Sequence, residues 1–291
     1  MTTSRTLRDL LAWGTCMLRR AGIESASIDT QLLAAFVLGQ SRTYVLTYPE
    51  IELTPAQEQE FQTLIERRYL HEPVAYLVGS CEFMALTFTV NKHVLIPRAD
   101  TEALVETAIS EVNARGIRSA LEIGVGSGCI AVSLAVNCPA IHITAVDISE
   151  HAIDVARANA ITHGVDDRVT FVHGDIFDDN LIGNLAAYGP FEMLLSNPPY
   201  ISAAEMTELP PNVRGYEPHA ALLGGPDGLS FYREITRRAP VILGCGVIML
   251  EIGCNQADQV SGILRGGGFR NVNKLQDLAG KNRVIQADYL G

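Results

Sequence analysis

The sequence predicts an α/β protein: a doubly wound, mostly parallel seven-stranded sheet, preceded by a small N-terminal helical domain and a connecting β-hairpin. Three observations carry this expectation. From residue 119 onward, short apolar runs bounded by turn residues alternate with amphipathic stretches, as in sheets covered on both faces. The first 70 or so residues carry apolar spacing of helical period only, and between these regions the period drops to two. The resulting division is 1–79, a helical bundle; 80–97, the hairpin; and 98–291, the sheet domain.

The elements follow in order. Leu7, Leu10, Leu11, Cys16 and Leu18 predict a first helix ending at Gly22, and Ile28, Leu32, Leu33, Phe36 and Val37 a second ending at Gly39. A short helix is expected over 43–46. Thr54-Pro55-Ala56-Gln57 has the form of a capping box with proline in the first turn, and Phe61, Leu64 and Ile65 supply the apolar stripe behind it. Leu86, Phe88 and Val90 alternate with Thr87 and Thr89, which gives the hairpin; Phe83, just before it, reads as core. Thr101 or Asp100 is the expected cap of a helix carrying Leu104, Val105, Ala108, Ile109 and Val112. Strands are then expected at 119–123, 141–146, 169–173, 191–196, 247–252, 269–275 and 284–287, with helices at 128–136, 149–163, 229–239 and 256–264. The last two strands lie too close for a crossover and should pair antiparallel.

Composition narrows the function classes. Twenty-two basic against 33 acidic residues leave a net charge of −11, which disfavours a protein that tracks phosphate backbones. The longest apolar run, residues 32–38, is far too short to span a membrane, and Arg5, Arg8 and Asp9 interrupt a signal-like start, so a cytoplasmic protein is expected. Six cysteines without C-x-x-C pairing read as reduced structural residues in apolar company, and seven histidines without ligand spacing predict no metal.

The chemistry-bearing residues fall at the ends of expected strands. Gly124, Val125, Gly126, Ser127 and Gly128 follow the first, where glycines let the backbone turn tightly beside a helix N-terminus. The G-x-G-x-G spacing leans away from pyrophosphate and toward a ligand without phosphates. Asp147 ends the second strand, placed to accept both hydroxyls of a ribose or to cap the helix that follows. Asp175 ends the third, placed to accept from an adenine amino group while Ile176 packs on the ring. The fourth ends in Asn197-Pro198-Pro199-Tyr200, a rigid loop because Pro199 has no N–H. Asn197 and the Pro198 carbonyl offer two acceptors that hold a planar NH2 group and aim its lone pair, and Tyr200 offers an aromatic face.

This constellation resembles the class I S-adenosylmethionine-dependent methyltransferases with a Rossmann-like sheet, and the tetrapeptide narrows it to enzymes that methylate conjugated NH2 groups. Glu72-Pro73-Val74-Ala75-Tyr76-Leu77-Val78-Gly79, Leu95-Ile96-Pro97-Arg98-Ala99-Asp100-Thr101-Glu102, Glu217-Pro218-His219-Ala220-Ala221-Leu222, Gly225-Pro226-Asp227-Gly228-Leu229-Ser230 and Glu251-Ile252-Gly253-Cys254-Asn255-Gln256 further resemble the bacterial peptide chain release factor glutamine methyltransferases. The resemblance implies methyl transfer from S-adenosylmethionine, leaving S-adenosylhomocysteine, to the glutamine of the Gly-Gly-Gln motif of release factors. It implies a release factor held in part by the N-terminal bundle, with no direct nucleic-acid or membrane partner. A ribosomal-protein glutamine and, less in keeping with the acidity, a nucleic-acid adenine amino group are the alternative substrates. Glu122 and Ala99 depart from the family's usual Asp and Pro. Arg98 is either a surface cation or an organiser of the cofactor loop, and Glu217-Pro218 either a turn or part of the substrate pocket.

Overall fold

A computed structural model of the chain describes residues 5–277 and 279–291. It divides into two compact units, one formed by residues 1–80 together with 210–216, the other by 81–209 and 217–291. The hairpin therefore clusters with the sheet, and a segment far along the chain joins the helices.

The helical unit comprises α1 (Leu7–Arg20), α2 (Ala26–Leu38), α3 (Arg42–Thr47), α4 (Pro55–Tyr69) and α5 (Val74–Val78). The Thr54 box forms as its spacing predicts: the Gln57 N–H donates to Thr54 Oγ1 at 3.3 Å and the Thr54 N–H to Gln57 Oε1 at 3.0 Å. Thr6 and Asp9 make a second box at α1 that the apolar spacing did not signal. Helix α2 departs from expectation. Ile28, Leu32 and Phe36 are 48, 39 and 44% exposed, and the buried face is instead Ala26, Asp29, Thr30, Leu33 and Ala34. Close approach explains the rotation: a methyl group on Gly14 of α1 would lie 2.9 Å from Thr30, so small residues of α2 face α1. The rotation also buries Asp29, whose Oδ2 accepts from Arg68 Nε of α4 at 2.7 Å.

In the second unit, β1 (Ser80–Phe83) and β2 (Leu86–Thr89) form the hairpin, and Phe83 is buried as core. Helix α6 (Glu102–Arg115) leads to β3 (Ser119–Ile123), α7 (Cys129–Asn137), β4 (His142–Asp147), α8 (Glu150–Thr162), β5 (Val169–His173), α9 (Asp179–Ala186) and β6 (Phe191–Ser196). The four-residue helix α10 (Pro211–Arg214) belongs to the first unit. Then come α11 (Ser230–Ile242), β7 (Leu243–Glu251), α12 (Ala257–Gly266), β8 (Arg270–Gln276) and β9 (Asn282–Tyr289). All seven expected strands form one sheet in the order β5-β4-β3-β6-β7-β9-β8. It is parallel from β5 to β7, and β9 runs antiparallel to both neighbours.

Burial on both faces makes the strands near-continuously apolar. Leu121, Leu194, Ile248 and Leu250 enter one cluster with Tyr232 and Ile235 of α11 and Leu264 of α12. Ala120, Met193, Leu195 and Met249 enter the other with Leu104 of α6, Ile130 of α7 and Ala156 of α8. The chain winds outward from β3 to β5, then returns to place β6 on the other side of β3. Loops leaving β3 and β6 diverge there and open a crevice at their carboxyl ends.

Two local expectations fail for stated reasons. Helix α9, capped by Asp178, is not signalled by the sequence: Asn180, Gly183 and Asn184 interrupt its pattern, and only Leu181, Ile182 and Leu185 are buried. A parallel β5-to-β6 crossover nonetheless needs such an element. Neither Asp100 nor Thr101 caps α6, because a 3-10 turn (Ala99–Thr101) runs straight into it with Thr101 already in the helical region. Asp100 Oδ2 instead pairs with Arg283 at 2.8 Å, and Thr101 faces the crevice. All six cysteines are free, but only Cys138 is buried, while Cys16 and Cys245 are exposed. Among the described residues no helix is long and apolar enough to cross a membrane.

Candidate active site

The crevice is a cavity of about 520 Å³ in the second unit. Gly124 to Ser127, Asp147, Asp175, Ile176, Asn197, Pro198 and Pro199 all line it, so the expected strand-end residues converge. Gly128 sits just behind as the N-cap of α7, with φ +82°, and a methyl group there would be 3.1 Å from Ala156 Cβ of α8. Glycine is required at that point by both backbone and neighbour.

Each wall is held by identifiable bonds. The Gly124 and Val125 N–H groups donate to the Val146 carbonyl at 2.8 and 3.0 Å, which ties the glycine loop to β4. Asp147 Oδ2 accepts from the Gly126 N–H and Oδ1 from the Ser149 N–H, both at 2.9 Å. Helix α8 takes Ser149 itself as cap, so Asp147 does not serve that role. Burial pushes the Asp147 carboxyl above its usual value, and the bonds from Gly126 and Ser149 hold it down. Buried Asn159, which the sequence did not single out, donates to the Ser127 carbonyl at 2.8 Å and to the Thr89 carbonyl at 3.0 Å, and accepts from the Thr89 N–H at 2.8 Å. Asp175 Oδ1 accepts from the Phe177 N–H at 2.9 Å, and Phe177 meets Phe231 edge-on at 5.1 Å.

In-register pairing of Ile123 with Ser196 sets Asn197 beside the glycine loop, and the Ser196 hydroxyl donates to the Ile123 carbonyl at 2.6 Å. Asn197 Nδ2 donates to Thr101 Oγ1 at 3.2 Å. That bond uses the amide nitrogen and leaves Oδ1 as an acceptor. The following turn is clamped from behind. Gln256 Nε2 donates to the Tyr200 carbonyl at 3.0 Å, the Gly224 N–H to the Ile201 carbonyl at 2.8 Å, and a methyl group on Gly228 would overlap the Tyr200 carbonyl.

Tyr200 is placed otherwise than the sequence suggested, and the surroundings of Arg98 and Glu122 are specific. Tyr200 does not line the cavity: with its carbonyl drawn toward Gln256, its ring packs against the apolar cluster beside Gly253. Burial raises its hydroxyl to about 12, with Glu251 adding to the shift. Arg98 is no free surface cation; it pairs with Glu217 at 2.5 Å, and Glu217, 3% exposed, also accepts from the Ile96 N–H at 3.4 Å. Glu122 is wholly buried with neither oxygen hydrogen-bonded, and burial first, then Asp147, pushes its carboxyl well above the usual range. Among the described residues no cluster of His, Cys, Asp or Glu is placed to hold a metal. A second concavity, on the surface of α1 and α2, is lined by Leu11, Thr15, Cys16, Arg19 and Gln31 and lacks any such convergence of strand ends.

Residues 9–79 match the family described as the PrmC N-terminal domain, and residues 99–209 the methyltransferase small domain. The chain is 37% identical to a release factor glutamine methyltransferase of Clostridium botulinum over 97% of its own length and 98% of the relative's. It is 38% identical to a bifunctional methyltransferase of Rickettsia bellii over 97% of its length, of which it spans about half, 54%. The hMettl16 catalytic domain, at 15% identity and a TM-score of 0.55 over 70% of this chain and 76% of that one, shares the fold.

Proposed function

This chain belongs to the family of release factor glutamine methyltransferases, and from that premise we propose that it transfers the methyl group of S-adenosylmethionine to the side-chain amide nitrogen of the glutamine in the Gly-Gly-Gln motif of peptide chain release factors. The observation that carries the reading is the commitment of Asn197 Nδ2 to Thr101, which leaves Oδ1 and the Pro198 carbonyl as two acceptors at the cavity wall. An amide nitrogen is a poor nucleophile because its lone pair is delocalised. Holding both N–H bonds on fixed acceptors orients what lone-pair density there is, and the fixed dipoles offset the positive charge that develops on nitrogen. With the cofactor bound, the amide lone pair would take up the methyl group that the cofactor supplies with its bonding pair left behind on sulfur, and the nitrogen would then shed one proton to solvent. No base is needed before attack.

The lining fits the cofactor. Gly124 and Gly126 bring no side chain of their own to the cavity wall, and each Asp147 oxygen, having accepted one backbone N–H, retains a lone pair for a ribose hydroxyl. Asp175 and Ile176 take the adenine end. The cofactor, when bound, supplies an electrophilic methyl group. Replacing Asp147 with asparagine should weaken S-adenosylhomocysteine binding roughly 10- to 100-fold, the equivalent of one charged hydrogen bond worth about 1.5–3 kcal/mol. Calorimetry checks this, and unchanged affinity would remove Asp147 from the ribose site.

We assign the holding of the release factor to the N-terminal helical bundle, residues 1–79, and the setting to the cytoplasm, where termination takes place. A labelled-methyl assay offering purified release factor, ribosomal protein and nucleic acid side by side tests the substrate. Label on the release-factor glutamine is expected; label only on another acceptor would overturn the proposal.

A further inference from the structure

The acceptor loop of Asn197 to Tyr200 is gripped at both ends, by two segments far apart in the chain. At its start Asn197 Nδ2 bonds Thr101, whose own N–H donates to the Arg98 carbonyl at 3.0 Å in the turn before α6. Beyond its end the Ile201 N–H donates to the Leu222 carbonyl, also at 3.0 Å. Pro198 and Pro199 stiffen the stretch between, so the direction of Asn197 Oδ1 depends on where these two segments stand. Glu217 joins them. Its side chain is fully buried, Oε1 accepts from Arg98 Nη2 at 2.5 Å and Oε2 from the Ile96 N–H at 3.4 Å, and a 3-10 turn (His219–Ala221) leads from it to Leu222. Resting on the methyl-transfer reading above, we propose that Glu217 is a positioning residue: with Arg98 it closes a ring of bonds running through Thr101, Asn197, Ile201 and Leu222, and so fixes the two acceptors that receive the glutamine amide.

The chemistry of this clasp requires a carboxylate. Two donors converge on the side chain, a guanidinium and a peptide N–H, and a carboxylate offers an acceptor oxygen to each. Glutamine has the same shape but offers one acceptor and one NH2, so one of the two donors would face a donor. A buried group deprived of its partner in this way loses its bond and keeps the cost of its burial. Release of either side also moves a wall of the site, because Pro97, Arg98 and Pro218 to Ala221 line the cavity. Misplacing a reacting group by about 1 Å costs about 10²-fold in rate, even when the change responsible lies away from the chemistry.

The test measures single-turnover methylation of release factor at saturating cofactor, beside the affinity for release factor, in the parent, Glu217→Gln, Arg98→Ala, Arg98→Lys and the Glu217→Gln, Arg98→Ala double variant. Glu217→Gln and Arg98→Ala should each slow the step about 10- to 100-fold with release-factor affinity unchanged, the split expected when the aim of the acceptors is lost and docking is not. Arg98→Lys, which keeps the cation, should recover most of the Arg98→Ala loss. The double variant should be no slower than the slower single one, because both open the same ring. Amide hydrogen exchange reads the ring without turnover: the Thr101 and Ile201 amides should exchange about tenfold faster in Glu217→Gln and Arg98→Ala than in the parent. Should Glu217→Gln fail to fold, the two Arg98 variants still decide, since that side chain is 37% exposed. A folded Glu217→Gln or Arg98→Ala protein with the parent's rate, or single losses that multiply in the double variant, would overturn the clasp while leaving the methyl-transfer reading intact. A parent that methylates no release factor would sink that reading instead, and the exchange rates would still decide the clasp.

Discussion

Replacing Asn197 with alanine is expected to slow methyl transfer by about 10²–10³-fold in kcat, equivalent to roughly 2.7–4 kcal/mol of barrier. The glutamine amide would then be held by the Pro198 carbonyl alone, and its lone pair would no longer be aimed. Stability should change little. The loop backbone is fixed by Pro198 and Pro199, by Gln256 on the Tyr200 carbonyl and by the bonds of Ile201 to Leu222 and Gly224. Release-factor affinity should also survive. Single-turnover methylation beside a thermal melt measures both, and a folded, cofactor-binding alanine variant at the parent rate would disprove the acceptor mechanism while leaving family membership untouched.

The largest effect on stability is expected from Asp29→Ala. Asp29 and Arg68 pair at 2.7 Å with side chains 9 and 10% exposed, and Ser25 donates to the same oxygen of Asp29. Removing the carboxylate leaves a buried guanidinium with only the Glu72 carbonyl, at 3.2 Å, in its place. Breaking one side of a buried pair costs about 3–5 kcal/mol. Trp13, the chain's single tryptophan, packs on Phe61 in the same unit, so its fluorescence during urea unfolding reports the change directly. The double change Asp29→Leu with Arg68→Met should restore most of the loss, because no unpaired charge then remains. A double variant as weak as Asp29→Ala would show that packing, not charge, sets the cost.

The contrast between these two sites shows what a sequence carries. Asn197 was legible because its chemistry is local: an apolar run, a residue with an acceptor and two prolines specify a strand that stops and a loop that cannot bend. All seven strands were legible for the same reason, as runs of apolar residues between turn signals. Asp29 was not, since it stands among Ser27, Thr30 and Gln31 as one polar residue of several and its partner is 39 residues away. Thr101 looked like a cap by its position before a helix; its bond to Asn197 spans 96 residues and exists only once the strands are ordered. Asn159 likewise gives no local sign of joining the glycine loop to the hairpin. Helical period identified α2 as a helix but not the side it buries, which depends on the room that Gly14 leaves.

The outermost strand of the sheet has a different bearing, on what the molecule avoids. Strand β8 ends the order on one side, and an unpaired strand is a template for pairing with another copy. Here it carries Arg270, Asn271, Asn273 and Lys274, its register slips between Arg270 and Asn273, and Asn271 turns to φ +51°. A bent, cationic margin presents no flat row of amides to a neighbour. The sheet is thereby guarded against edge-to-edge pairing with another copy, and the protection lies at the opposite side of β6 and β7 from β4, which ends in Asp147, and from β5, which Asp175 follows.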